Sequence, residues 1–275
     1  MRRPGYRQAM HPATPHHRHF TELAVHDVPS RITESSILVQ PVGAIEAHGP
    51  HLPLATDYLV ACAAVDALVG RHGDEHDLWA LPPLAYTKSN EHAWAPGTIW
   101  LSAETMLRVL DDIGRSLATT RARKVVFVNA HGGNSALLQV ACRDLRLRHG
   151  LQTFLAHPFA KSEGGNELDM GIHGGHDETS MLLHLRPDLV DMTKAVRRVP
   201  EHLARNHHVK WGGSVSFGWL SNDFEAAPAD GGLPIGVIGD PTAANADHGA
   251  AQFEAIIASL SEAMGEIVRW NPAQG

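Results

Sequence analysis

Apolar positions along the chain alternate between short continuous runs and stripes at helical spacing, and that alternation predicts strands interleaved with helices. Ser36 to Val42 (SILVQPV) reads as a buried strand, followed by the Gly/Pro-rich loop GAIEAHGPHLPLATD. Helical spacing begins near Asp57: Leu59, Val60, Ala63, Ala64, Ala67 and Leu68 share one stripe, and Gly70 with Gly73 is the expected stop. Trp79 to Tyr86 is the next expected strand, then the loop KSNEHAWAPGT and a helix from Ser102, a capping residue type, to about Arg121. Lys124 to Ala130 (KVVFVNA) is the clearest buried strand; it ends in HGGN, and a helix from Ser135 to His149 follows, closed by Gly150. Leu151 to His157 reads as a fourth strand. Beyond it come a glycine-rich loop, a helix near 178–185, a poorly patterned stretch over 195–240 and a final helix from Thr242 to Val268. Strands separated by helices cannot pair as hairpins, so the expected fold is a three-layer α/β/α sandwich with a mostly parallel central sheet.

Composition narrows the partners. No repeat or composition shift divides the 275 residues, so residues 31–275 read as one domain after a flexible Pro- and His-rich arm over residues 1–30. The arm's His11, His16, His17 and His19 lack an ordered scaffold that would fix a coordination geometry. A formal charge of −7 argues against a nucleic-acid surface or an anionic membrane and leaves a small-molecule substrate as the expected partner. The N-terminal segment has no apolar run that would serve as a signal-peptide core or span a bilayer, which makes the cytoplasm the expected location. Cys62 and Cys142 lie in apolar helical stripes and read as buried thiols without chemistry. With 20 histidines in the chain, a lone histidine says little.

Clusters say more. Open α/β sheets bind ligands at the carboxyl ends of their strands, and two polar groups fall there: Glu46, His48 and Asp57 after strand 36–42, and His131, flanked by Asn129 and Asn134, after strand 124–130. Two carboxylates and two imidazoles suit Zn²⁺, Mn²⁺ or Fe²⁺ better than Ca²⁺, and a carboxylate such as Asp57 can bridge two ions. Taken singly, each residue has a plainer reading: Asp57 as a helix cap, Asn134 as another, Glu46, His48 and His131 as loop residues. Gly49, Gly132 and Gly133 let the backbone turn tightly near a ligand. A third group, His173-Gly-Gly-His-Asp-Glu178-Thr-Ser, runs into a helix, where Glu178 either favours the dipole or joins the metal set, and His173 either moves protons or is a loop histidine. His92, Trp94 and Trp219 are candidate pocket walls.

Pro41-Val-Gly-Ala-Ile-Glu46-Ala-His48-Gly-Pro-His51-Leu-Pro-Leu-Ala-Thr-Asp57 resembles the first signature of the creatininase family of amidohydrolases. Asn129-Ala-His131-Gly-Gly-Asn134 resembles its second, and the His173 to Glu178 segment running on to Leu185-Arg-Pro-Asp-Leu-Val190 its third; Tyr86, Glu91-His92 and Pro96-Gly97-Thr98 are similar to a looser segment. The resemblance implies a three-layer α/β enzyme, a hexamer or other homo-oligomer, that hydrolyses a C–N bond of an amide, cyclic amide or formamide with a metal-activated water. It implies two divalent ions, Zn²⁺ and/or Mn²⁺ with Fe²⁺ as an alternative: Glu46, Asp57 and His131 on one, His48 and Asp57 on the other, with Glu178 completing the second. His173 matches the histidine credited with proton transfer. Creatinine-hydrolysing members carry a glutamate where this chain has Gly133 and a tryptophan where it has Asp169, which argues against creatinine. Same-family alternatives are a peptidase like the one that trims the mycofactocin precursor and a pyrimidine-type deformylase; a non-catalytic metal-holding protein is the alternative from another class. No G-x-G-x-x-G follows a strand, so a dinucleotide site is not expected.

Overall fold

A computed structural model describes residues 18–158, 172–199, 206–209, 236–271 and positions 215, 218 and 220. Its strands are β1 (Ile37–Val42), β2 (Leu78–Ala80), β3 (Lys124–Asn129) and β4 (Gln152–Ala156), and its α-helices are α1 (Val28–Arg31), α2 (Thr56–His76), α3 (Ala103–Leu117), α4 (Ser135–His149), α5 (His176–Leu185) and α6 (Ala246–Arg269). The strands form one sheet in the order β2-β1-β3-β4, and all three pairings are parallel.

Side chains alternate across a strand, so each strand feeds two cores. Ile37, Val39, Val126 and Val128 pack on one face against α2, α5 and α6 through Val60, Leu68, Met181, Phe253 and Ile257. On the other face Leu38, Val42, Val125 and Phe127 meet α3 and α4 through Met106, Leu110, Leu138 and Leu145. Helices on both faces of a parallel sheet make the expected three layers. No helix among the described residues is long and apolar enough to cross a membrane.

Several boundaries differ from expectation. Helix α2 runs through Gly70 and Gly73 to His76, and ends at Asp77 in the left-handed region (φ 50°). The Asp77 carboxylate accepts from Ser36 Oγ (2.7 Å), Arg18 Nη1 (2.9 Å) and Trp79 Nε1 (3.0 Å), and those bonds hold the turn. Gly73 has a packing role instead: a Cβ there would lie 2.8 Å from Arg18 Cδ. Strand β2 stops at Ala80 rather than Tyr86, because Pro82 and Pro83 bring no N–H to a ladder. Leu81 N still donates to Val39 O (2.9 Å) and Leu84 N to Pro41 O (3.0 Å). The first turn of α6 falls at Ala246, capped by Asn245, which accepts from His248 N (2.9 Å).

The stretch expected as an arm divides at Arg18. From there the chain is tied to the sheet edge: Ala80 N donates to Arg18 O, and Phe20, Leu23 and Val28 pack against the α3/α4 core. His11, His16 and His17 lie outside the described residues, as do Asp169, Trp219 and most of 195–235. Cys62 and Cys142 are free and partly buried, and burial pushes the Cys62 thiol up to about 12, consistent with an inert group.

Candidate metal centre

The register of β1 against β3 pairs Val42 with Asn129, so the loops leaving the two strands start side by side. Ala130 N donates to Val42 O at 2.9 Å and extends the pairing one residue. Asn129 then clamps the turn, its amide donating to His131 O (2.7 Å) while its oxygen accepts from His131 N (3.3 Å). On the β1 side the first turn of α2 rides on Gly43, where a Cβ would lie 2.6 Å from Tyr58 N. Only glycine permits that approach, and the approach carries Asp57 over the sheet edge.

The capping alternatives do not describe these residues. The N-cap of α2 is Ala55, and Asp57 turns its carboxylate inward. Asn134 makes no side-chain cap to α4; it donates to Gly43 O and Asn129 Oδ1 (both 3.2 Å) and accepts from Lys88 N (3.1 Å).

Glu46, His48, Asp57 and His131 are all at most 5% exposed. Asp57 Oδ1 lies 3.0 Å from His48 Nε2, and Asp57 Oδ2 lies 3.1 Å from His131 Nδ1. Glu46 Oε1 is 3.3 Å from His131 Nδ1, 3.5 Å from His92 Nε2, 3.8 Å from His173 Nδ1 and 3.9 Å from His48 Nε2. Donor atoms of Glu46, His48 and Asp57 gather within 4.8 Å, as do those of Glu46, His92 and His173, and of His48, His173 and Glu178. The side chain of Glu178 folds back over the start of α5, accepting from Gly174 N (2.6 Å), and sits 3.9 Å from His48 Nε2. His173 stacks between His48 and His92 at ring separations of 4.2 and 4.3 Å, and its Nε2 meets Ala47 O at 2.6 Å.

Electrostatics follow from this crowding. Burial raises Glu46 above the usual carboxylate range and lifts Glu178 to about 7. Burial alone would depress His48, but the Asp57 charge overrides it and holds the imidazole at about 10. For His131 burial is again outweighed, here by Glu46 first, and the ring is held well above its ordinary value. Opposite pulls leave Asp57 well below the usual carboxylate range, because His48 and His131 together exceed its desolvation. Burial, then His48, push His173 down to about 3. Without a cation, then, positive charge in the nest is carried by protons on His48 and His131.

Glu46 Oε1 and Asp57 Oδ2 are buried and accept no hydrogen bond of good geometry. A single Nδ1–H of His131 cannot aim at both. Two bare carboxylate oxygens facing an imidazole nitrogen are poorly served by protons and well served by a divalent ion, so the donor set fits a metal.

Residues of the loop after β2 also belong here, although the sequence offered little to select them. Ser89 donates a short hydrogen bond to Glu46 Oε2. Glu91 Oε1 lies 3.2 Å from His131 Nε2, and His92 is buried in the turn Asn90–His92. An acidic residue beside a histidine in a loop at a strand's carboxyl end is a weak signal: Glu91-His92 stands out only within the looser family-like segment, and His92 also as a candidate pocket wall, neither as a site residue. Gly49 has a positive φ of 77° and Gly133 packs tightly, whereas a Cβ on Gly132 would meet nothing within 4 Å, so Gly132 answers no steric demand. Two peripheral groups, His72/Glu75/His76 and His176/Asp177/His248, also bring donors together. The first lies partly open on α2, and the second sits at the starts of α5 and α6, where helix dipoles disfavour a cation.

Fold and site together define a class: a parallel α/β sandwich with a buried carboxylate–imidazole nest at the carboxyl edge of its two central strands. Residues 21–264 match the creatininase family, described as creatinine amidohydrolase, and the chain belongs to that family. It is 36% identical over 245 residues to the Mycofactocin precursor peptide peptidase of Mycobacterium ulcerans (strain Agy99), covering 87% of each chain. To the Creatinine amidohydrolase of Pseudomonas putida it is 34% identical over 187 residues, 60% of this chain and 70% of that one. A solved mutant creatininase named as the Zn-Zn type superposes with a TM-score of 0.69 at 25% identity, over 90% of this chain and 97% of that one.

Proposed function

We propose that the chain is a metal-dependent hydrolase of a C–N bond in a small amide, cyclic amide or formamide, with residues 31–275 as one catalytic domain. The observation that carries this reading is the pair of bare buried carboxylate oxygens, Glu46 Oε1 and Asp57 Oδ2, turned toward His131. Glu46, Asp57 and His131 would hold one ion; His48, Asp57 and Glu178 would hold the second. Bound there, Zn²⁺ or Mn²⁺ supplies Lewis acidity that lowers the pKa of a water and polarises a carbonyl. The Zn-Zn designation of a similar creatininase supports a dinuclear zinc assignment.

The chain's own groups do the rest. His173 Nε2 is committed to the Ala47 carbonyl, which leaves Nδ1, on the side of Glu46, to take up a proton and pass it to the departing nitrogen. Neutral His173 is the form that can accept that proton. The stacked ring of His92 and the tilted ring of His48 flank it on either side.

Trimming of a peptide is a second reading, supported by the likeness to the mycofactocin precursor peptidase. Protein loaded with Zn²⁺ or Mn²⁺ would be offered creatinine, small lactams, hydantoins, formamides and short peptides. Turnover of a lactam, hydantoin or formamide is expected; turnover of peptides alone selects the second reading, and turnover of none overturns both.

Metal binding is also expected to release protons. A ligand imidazole must surrender its proton, and metal-free His48 keeps its own up to about 10. Affinity should therefore rise between about pH 6 and pH 9, with at least about one proton released per chain near neutrality. Calorimetry in buffers of different ionisation enthalpy reads this directly; a pH-independent affinity with no proton release would contradict it.

A further inference from the structure

We infer that Glu91 is a positioning residue for His131, held in the volume that a side chain at position 133 would otherwise fill. The inference rests on His131 being a metal ligand, as proposed above.

His131 Nε2 lies 2.9 Å from Lys88 O and 3.2 Å from Glu91 Oε1. A carbonyl oxygen has no proton to give, so Nε2 carries a hydrogen in either charge state of the ring, and once a cation takes the place of the Nδ1 proton the neutral ring would turn that lone pair to the ion beside Glu46 and Asp57. Lys88 O takes that N–H, and Glu91 sets a buried negative charge beside it, in contact at 3.2 Å without a hydrogen bond of good geometry. A carboxylate behind a ligand histidine fixes the ring's tautomer and tilt and raises its basicity as a donor. Glu91 is itself fixed, since its Oε2 accepts from Lys88 Nζ at 2.8 Å and the residue is buried. Lys88 thus braces the arrangement twice, by its carbonyl and by its ammonium.

The second observation is independent of the first. A Cβ built on Gly133 would overlap Glu91 Oε1 and His131 Nε2. Position 133 and the tip of Glu91 therefore compete for one space, and the glycine is what admits the carboxylate from the neighbouring loop. Even one methyl group at 133 must part Glu91 from the histidine, by displacing the carboxylate, the ring or both.

This coupling gives the test its form. Zn²⁺ affinity by chelator competition, the d–d spectrum of the Co²⁺-loaded protein and the thermal unfolding of the metal-free protein are measured for the wild type, D57A, E91A, E91Q, G133A and the E91A/G133A pair. E91A is expected to lower metal affinity about 10–100-fold and to shift the cobalt spectrum while the metal-free chain still unfolds cooperatively. G133A should weaken binding by displacing Glu91 and by crowding His131 Nε2 itself, so the loss in the double variant should be smaller than the sum of the two single losses. E91Q, which keeps an acceptor without the charge, should fall between wild type and E91A; it carries the same test if E91A does not fold. Unchanged affinity and spectrum in E91A or E91Q, or losses that add in the double variant, would overturn the role given to Glu91. If wild type and D57A bind metal equally, the metal-site reading itself fails, and the inference with it.

Discussion

Asp57→Ala is expected to abolish loading of both ions, because Asp57 presents one oxygen to His48 at 3.0 Å and the other to His131 at 3.1 Å. Metal affinity should fall by more than about 100-fold, beyond the loss caused by removing a merely supporting residue, and hydrolysis should fall with it. The metal-free protein should suffer as well. Removing one partner of a buried charged pair costs roughly 3–5 kcal/mol, and Asp57 is the counter-charge of two histidines. The pH dependence has a definite sign. His48 is raised from 6.5 to about 10, so its contribution to wild-type stability is complete below about pH 6.5 and fades as the pH climbs toward 10. Urea unfolding of metal-free protein at several pH values would show that loss in the wild type and its absence in D57A. A variant that keeps its metal and its stability would remove Asp57 from the centre of the site.

His173→Gln should behave differently. The amide can keep a hydrogen bond to Ala47 O but cannot take up a proton, so the rate constant for turnover should drop by about 10²–10⁴. Metal content and KM should stay close to wild type, since His173 is not among the assigned ligands. Steady-state kinetics together with elemental analysis separate this outcome from that of D57A. Full activity in the variant would move the proton-transfer role elsewhere, and loss of metal would make His173 a ligand.

Much of the fold is written in local pattern. Runs such as KVVFVNA are apolar on both faces because the strand is covered on both, and the same reasoning places β1, whereas β4 is an edge strand, half-buried throughout. The strand-end position of Glu46 and His131 follows from topology, since the adjacency of β1 and β3 joins loops more than eighty residues apart. Three features escaped the pattern. Gly70 and Gly73 read as a helix stop, but a glycine costs only about 1 kcal/mol inside a helix, and the bonds around Arg18 and Asp77 favour its continuation. The loop over 87–100 has no period to read, and Glu91 and His92 enter the site through contacts that the loop makes with distant segments, Lys88 with Asn134, Ser89 and His92 with Glu46, and Glu91 with His131. The value of Gly133 as empty volume is likewise visible only once Glu91 is seen to fill it.

Diffraction from crystals of the Zn²⁺-loaded protein, recorded on both sides of the zinc edge, tests the central claim most directly. Two anomalous peaks per chain are predicted, one among Glu46, Asp57 and His131 and one among His48, Asp57 and Glu178. Peaks only at peripheral histidines, or none within bonding distance of Asp57, would contradict it.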